Sequence, residues 1–523
     1  MISSNIRSFL KKHLFDAEIL RLMALVLLVK PLTIVIQMLL AKYFGAGPQY
    51  DAYALAIFLV MYVGSVIGNV FTSVIVPYII KLRRSLTTHE LMGFQNAITA
   101  LFGIPALIFA LLLLCWPGAV VDVAGPGLPD ETRAYAVRMV RLLSLPGIFI
   151  LTVAMGKAIL NIHNKFRLAT SMTMVNALII LFTLIAFHES MGIWSIALGF
   201  AVSQVIQTVL LWLRSYSLGL VVFAKPYLPD GVTGKLWSLS WAMILTQAIL
   251  LLYQLIDKMF ASTLETGSIS SLAYALTVKT FGIQLFQLTL ITVMFTRISE
   301  MIAAGEIARC GEYIRDNIGR VMRLVLPATL VFCLASEEIV RVLFLRGEFT
   351  VADAERTTSV MAMYVLGLPA LILNLIIARI FHSLQRMKER IWLGIQYLVT
   401  NVALNALMIG PLKVMGLALA SSITIYLHLI LSLWVLRRYR LGLGIDGWFG
   451  VLLKNHIIAV GTYLIYLATG FGRFMSAWSI HGTNAGDIVI GICKGAFVFI
   501  VYLGLFLVWR AMTARRSAGR YRH

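Results

Sequence analysis

Leu91-Met-Gly-Phe-Gln-Asn-Ala-Ile-Thr-Ala-Leu-Phe-Gly-Ile-Pro-Ala-Leu-Ile-Phe-Ala-Leu-Leu-Leu-Leu-Cys115 contains no charged side chain. A membrane-spanning helix needs roughly 20 consecutive apolar residues, and this stretch exceeds that. Runs like it recur from one end of the chain to the other. They are continuous rather than alternating, so they read as helices and not as the strands of a membrane barrel. Of 523 residues, 60% are hydrophobic and 13% charged, with a mean hydropathy of +0.89. So few charges cannot cover that apolar surface in water. The fold class that follows is an all-α membrane protein, and the length allows about twelve to sixteen crossings.

The spacing predicts fourteen spans, at 19–44, 51–80, 91–117, 135–161, 168–188, 191–213, 236–262, 268–296, 321–336, 358–384, 391–411, 414–436, 448–471 and 486–509. A basic amphipathic segment, Ile6 to Phe15, precedes them and reads as a surface helix. The net charge of +21 is topological, because its placement alternates. Lys81, Arg83 and Arg84, Lys165 and Arg167, Arg386, Lys388 and Arg390, and Arg437, Arg438 and Arg440 all fall on the side of both termini. The loop 118–134 sets Arg133 against Asp122, Asp130 and Glu131. Loop 337–357 likewise balances Arg341, Arg346 and Arg356 with carboxylates. By the positive-inside rule both termini are cytoplasmic, and no nucleic-acid partner is needed to explain the charge.

The chain repeats itself. Ala52-Tyr53-Ala54-Leu55 returns as Ala273-Tyr274-Ala275-Leu276, an offset of 221, and Ala197-Leu198 returns as Ala418-Leu419 at the same offset. Two parallel six-helix lobes are expected, 1–222 (surface helix and spans one to six) and 223–441 (spans seven to twelve). Residues 442–523 add spans thirteen and fourteen and a basic tail. Repeats of this kind mark transporters, with the binding site between them.

An ionisable group inside a span costs a few kcal/mol unless it is paired or hydrated. Lys30, Asp257, Lys258, Lys279 and Lys494 are such groups. Lys30 and Lys279 are deepest by sequence, whereas Lys157, Lys258 and Lys494 read as snorkelling. Gln37, Asn69, Gln247, Gln254, Gln284 and Gln287 join them in spans one, two, seven and eight, and argue for a hydrated cationic cavity suited to a diphosphate. The cavity residues are therefore Lys30, Gln37, Asp51, Asn69, Gln254, Asp257, Lys279 and Gln284. Asp51 begins span two, where it either caps the helix or gates the cavity. Lys157 and Arg379, offset by 222, are expected at the cytoplasmic mouth. Gly64-x-x-x-Gly68 and Gly491-x-x-x-Gly495 read as close helix contacts. Gly442-Leu-Gly444-Ile-Asp-Gly447 lacks the strand a nucleotide loop requires. No catalytic residue, metal or cofactor is assigned.

Phe44-Gly-Ala-Gly with Asp51-Ala, Ala158-Ile-Leu-Asn-Ile-His-Asn-Lys-Phe166, Phe260-Ala-Ser, Gly347-Glu-Phe-Thr350 and Ile409-Gly-Pro-Leu-Lys413 carry a resemblance to the MviN/MurJ family. These are the lipid II flippases of the multidrug/oligosaccharidyl-lipid/polysaccharide exporter superfamily, and the resemblance runs from about residue 20 to the end. It implies fourteen spans and a flippase, not an enzyme, that moves an undecaprenyl-diphosphate-linked saccharide across the inner membrane by alternating access. The groove beside spans thirteen and fourteen would hold the lipid tail. Family arginines of spans one, two and eight fall on Lys30, Ile36, Gly64 and Thr277, with Lys279 two residues on. That substitution pattern favours an exopolysaccharide or O-antigen repeat over lipid II as cargo. Implied partners are a lipid-linked anionic glycan, membrane lipids and envelope-synthesis proteins. The rival readings are a small-molecule antiporter of the same fold and a non-transporting scaffold of envelope synthesis.

Overall fold

The computed structural model describes residues 17–82, 86–220, 225–228, 232–286, 292–384, 386–438, 443–477 and 484–520. The proposed surface helix 6–15 and Gln287 lie outside them. Among the described residues there are helices and no strands. In order these are α1 (Ala17–Phe44), α2 (Pro48–Val70), a π turn (Phe71–Ile75), α3 (Val76–Leu82), α4 (Thr88–Cys115), α5 (Pro117–Ala124), α6 (Asp130–Ile162), α7 (Phe166–Met191), α8 (Trp194–Ser217) and α9 (Val232–Ser262). They continue as α10 (Ser268–Phe286), α11 (Thr292–Ala303), α12 (Ile307–Leu334), α13 (Ser336–Phe344), α14 (Val351–Leu366), α15 (Leu368–Ser383), α16 (Met387–Arg438), α17 (Ile445–Ala468), α18 (Phe471–Ala477) and α19 (Asn484–Arg520).

The protein is an all-α, multi-pass membrane protein. Ten described helices are long and apolar enough to cross a bilayer, and α14 with α15, bent by 43°, makes eleven. Helix α16 has 52 residues, about 78 Å at 1.5 Å per residue and more than twice a hydrocarbon core. It breaks at Lys413, whose φ is +49°, so it supplies two crossings. Ile409-Gly-Pro-Leu-Lys413 thus closes the first arm at the break, where Pro411 removes a backbone donor. Helices α1 and α10, of 28 and 19 residues, have spanning length too. These lengths are compatible with fourteen crossings. The ninth is longer than its sequence reading of 321–336, because α12 starts at Ile307 and takes in Arg320 and Arg323. Arg323 is accommodated by its Gly319 carbonyl at 3.1 Å and by the Phe506 ring at 4.9 Å.

By contact density the chain forms two compact units, residues 1–270 and 271–523. In the first, α2 lies on α6 through glycines. A Cβ on Gly64 would strike the Ile150 side chain, one on Gly147 would come within 2.8 Å of Val60, and Gly68 faces Ala154. Backbones that close are what small residues permit, so Gly64-x-x-x-Gly68 is a packing seam. Helix α4 opens with a reciprocal capping box between Thr87 and Glu90. It buries Phe94, Ile98, Phe102 and Leu113 while Ile104, Ile108 and Leu111 face outward, the spacing of a helix with lipid along one side. In the loop that follows, Arg133 donates to Asp122 at 2.6 and 2.9 Å, and those bonds hold the Asp122 carboxyl below the usual carboxylate range.

In the second unit, Gly347 takes φ +58°. Phe349 packs with Tyr274 and Phe344 at ring distances of 5.3 and 6.0 Å, and Thr350 caps α14 in a box with Asp353. The Gly-Glu-Phe-Thr motif is a left-handed turn, an aromatic anchor and a helix cap in succession. Helix α19 approaches α12 and α13 closely at Gly495 and Gly491, where a Cβ would meet Val331 at 3.4 Å and Glu338 at 3.7 Å.

Candidate functional site

The turn Phe44-Gly45-Ala46-Gly47 ends α1 with Gly45 at φ +59°, and Pro48 then starts α2, where a missing N–H costs nothing. Asp51 therefore sits in the first turn of α2, and it is 3% exposed. It does not cap α2. Its carboxylate accepts the backbone N–H of Gly267 at 2.6 Å and of Ser270 at 2.7 Å, and the Ser270 hydroxyl as well. Those N–H groups belong to the opening of α10, which has no partners of its own for them. A carboxylate there also meets the positive end of the helix dipole.

Around this cap the first unit gathers charge. Lys258 lies within electrostatic reach of both Asp51 and Asp257, and its ammonium stands 5.6 Å from the Phe58 ring centre. Asp257 is buried. Gly127 of loop 118–134 donates to the Ser262 hydroxyl at 3.2 Å, and a Cβ at Gly127 would lie 2.5 Å from Thr263. Further along α2, Tyr62 donates to the Ala248 carbonyl of α9 at 3.0 Å, and Asn69 stands 3.5 Å from Gln247. Gln37 accepts from the Tyr50 hydroxyl at 2.8 Å, and Gln254 contacts Tyr253 at 3.4 Å. Gln37, Asn69 and Asp51 are thus placed in polar contacts that join α1 to α2, α2 to α9 and α2 to the start of α10, while the contact of Gln254 stays within α9.

Lys30 stands half-buried in α1, directly before Pro31. Lys157 is half-buried in α6. In the second unit Lys279 is 7% exposed, with its ammonium 4.6 Å from the Tyr364 ring centre; an aromatic face attracts a cation. Gln284 lies half-buried on α10, and Arg379 is exposed near the end of α15. Lys494, read as snorkelling, instead makes a 2.5 Å ion pair with Glu338 and a 3.2 Å bond to the Leu334 carbonyl, with both charged residues under 8% exposed. It pairs because Gly491 and Gly495 bring α19 against the start of α13. Tyr364, Glu338, Gly267 and Ser270 carry no sequence signal for these roles, since each partner is distant in the chain. Among the described residues no group of histidine, cysteine or carboxylate side chains is arranged to hold a metal.

A family profile described as "Lipid II flippase MurJ" matches residues 40–483. The chain belongs to the MurJ family. MurJ proteins are flippases, transporters rather than enzymes, of the cell envelope. A probable lipid II flippase MurJ of Vibrio cholerae is 25% identical over 423 residues, 78% of this chain and 80% of that protein. Alignments with the curated relatives span from 64% to 90% of their lengths. The fold is similar to that of a lipid II flippase MurJ in an inward closed conformation, with TM-score 0.75, 20% identity and coverage of 94% of this chain and 99% of that one. It is also similar to an inward-facing MATE family transporter of the MOP superfamily, with TM-score 0.62, 13% identity and coverage of 82% and 94%. In this MurJ family member, Gly64, onto which the resemblance carries a span-two arginine, has no room for any side chain, because Ile150 occupies that volume. At Thr277, where the span-eight arginine falls, the hydroxyl bonds back to Ala273 at 3.0 Å.

Proposed function

We propose that this chain carries lipid II from the cytoplasmic to the periplasmic leaflet of the bacterial inner membrane by alternating access. Lobes 1–222 and 223–441 would rock about a cationic cavity, with residues 442–523 as an accessory hairpin. The observation that carries the reading is the pair Lys30 and Lys279, ammonium groups well inside α1 and α10 of a MurJ family chain. Each is costly in hydrocarbon. A diphosphate head offers both a counter-charge, and its binding would favour the state in which both reach it. Lipid II is preferred over other lipid-linked glycans because the family profile and the curated relatives carry that cargo in their descriptions. Reconstituted protein is expected to move labelled lipid II across vesicles. Movement of an O-antigen repeat with none of lipid II would overturn the cargo.

Both termini are assigned to the cytoplasm by the alternation of basic loops. A cysteine placed at Ala518, in the last turn of α19, is expected to resist a membrane-impermeant maleimide in intact cells. Labelling there would refute the topology.

A further inference from the structure

Helices α12, α17 and α19 of the second unit pack on one another, and one aromatic ring among them gathers two cations. The Arg323 guanidinium of α12 stands 4.9 Å from the centre of the Phe506 ring of α19, and the Lys454 ammonium of α17 stands 5.2 Å from the same point. Lys454 also lies 5.8 Å from the Trp509 ring centre. Both cations are half-buried, and each belongs to a helix of spanning length. Charges that share one ring are separated by no more than about 10 Å, within a Debye length at moderate salt, so they repel. Among the described residues neither makes an ion pair. The carboxylates two turns before them on the same helices are engaged elsewhere, Asp316 by Arg315 at 3.2 Å and Asp446 by Arg437 at 3.0 Å. Arg323 spends its Nε on the Gly319 carbonyl, which leaves the terminal amino groups for a ligand.

A ring face attracts a cation but leaves its charge in place, and charge within a span is retained only with water or a counter-ion. The flanks of the cluster decide between these. Leu324, Leu453 and Leu507, each adjacent in sequence to Arg323, Lys454 or Phe506, are about half exposed. In a membrane chain such leucines meet hydrocarbon. A cationic centre with apolar flanks matches a phospholipid, its phosphate on the cations and its acyl chains along the leucines. We infer that Arg323, Lys454 and Phe506 form a binding site for a resident anionic phospholipid, whose phosphate joins α12, α17 and α19. Arg323 offers the phosphate a planar fork and Lys454 a point charge. Earlier in α19 the Lys494–Glu338 pair fastens the helix to α13; the lipid fastens its other end. On the topology proposed above the site opens to the cytoplasmic leaflet, where anionic lipids meet basic segments. The choice of leaflet rests on that topology; the site itself does not.

The test titrates the full-length protein in detergent with phosphatidylglycerol and reads retained lipid by native mass spectrometry, with phosphatidylcholine as the neutral comparison. Phosphatidylglycerol is expected to be retained in preference. Arg323→Gln/Lys454→Gln should weaken its binding about tenfold or more, the scale of lost charge-assisted contacts. Phe506→Leu keeps both charges and removes the ring that gathers them, and it should weaken binding as well. Lys165→Gln/Arg167→Gln removes two exposed cations from the first unit and should leave binding unchanged. An equal fall in that control, no fall in the double variant, or equal retention of phosphatidylcholine would refute the site. If the double variant fails gel filtration, Lys454→Gln alone carries the comparison and is expected to bind more weakly than the parent protein. Two competitors identify the occupant. Inorganic phosphate, which has no acyl chains, should displace the lipid only at far higher concentration than phosphatidylglycerol itself. Displacement at a similar concentration would give the site to a soluble anion. Undecaprenyl diphosphate should compete no better than phosphatidylglycerol; stronger competition would make the site part of the cargo path and overturn the resident lipid.

Discussion

Lys30→Gln and Lys279→Gln are each expected to abolish lipid II translocation in reconstituted vesicles while the purified proteins keep their gel-filtration profile. Glutamine retains most of the side-chain length and removes the charge. One charge-assisted contact to a phosphate is worth about 1.5–3 kcal/mol, so loss of either ammonium costs roughly ten- to a hundredfold in cargo affinity. The two variants should differ in stability. At Lys279 the change replaces a buried cation by a neutral group against the Tyr364 ring, which relieves a desolvation cost. At Lys30, half-buried and adjoining a proline, it should be nearly neutral. Arginine is expected to restore transport at Lys30, onto which a family arginine falls, because it returns both charge and fork. Full activity of Lys30→Gln would remove the central claim of the cavity.

The second large effect is on stability and belongs to the second unit. Glu338→Ala leaves the Lys494 ammonium buried with only the Leu334 carbonyl as partner. Breaking a buried pair from one side typically costs about 3–5 kcal/mol, since the desolvated charge remains. Thermal unfolding in detergent should register this as a marked fall in midpoint for Glu338→Ala. The double variant Glu338→Leu/Lys494→Met should recover most of the loss, because an apolar pair of similar size does not carry the desolvation penalty. Wild-type stability in Glu338→Ala would mean that the pair does not hold α19 against α13.

Several features of this protein were legible before any coordinates. Uninterrupted apolar runs demand helices in lipid, because every backbone donor and acceptor must be satisfied within its own segment. That constraint is local, so it reads directly from consecutive residues. Gly64 and Gly68 announced a close helix contact for the same reason: the absence of a Cβ is a property of the residue itself. The motifs at 347–350 and 409–413 marked only a family resemblance in the sequence; that one is a turn with a helix cap and the other a helix break came with the coordinates.

What a side chain does with its charge was decided only by tertiary structure. Asp51 read as either a cap for α2 or a gate of the cavity, and its carboxylate instead holds the first turn of α10, more than two hundred residues on. Lys494 looked like a snorkelling lysine, but Gly491 and Gly495 bring its helix near enough to α13 for Glu338 to reach it. Span number and the alternation of loops follow from the free energy of each segment in water or lipid, which is a sum over local residues. The partner of a buried charge depends on which helices meet. Packing settles that across the whole chain, and no spacing along the sequence records it.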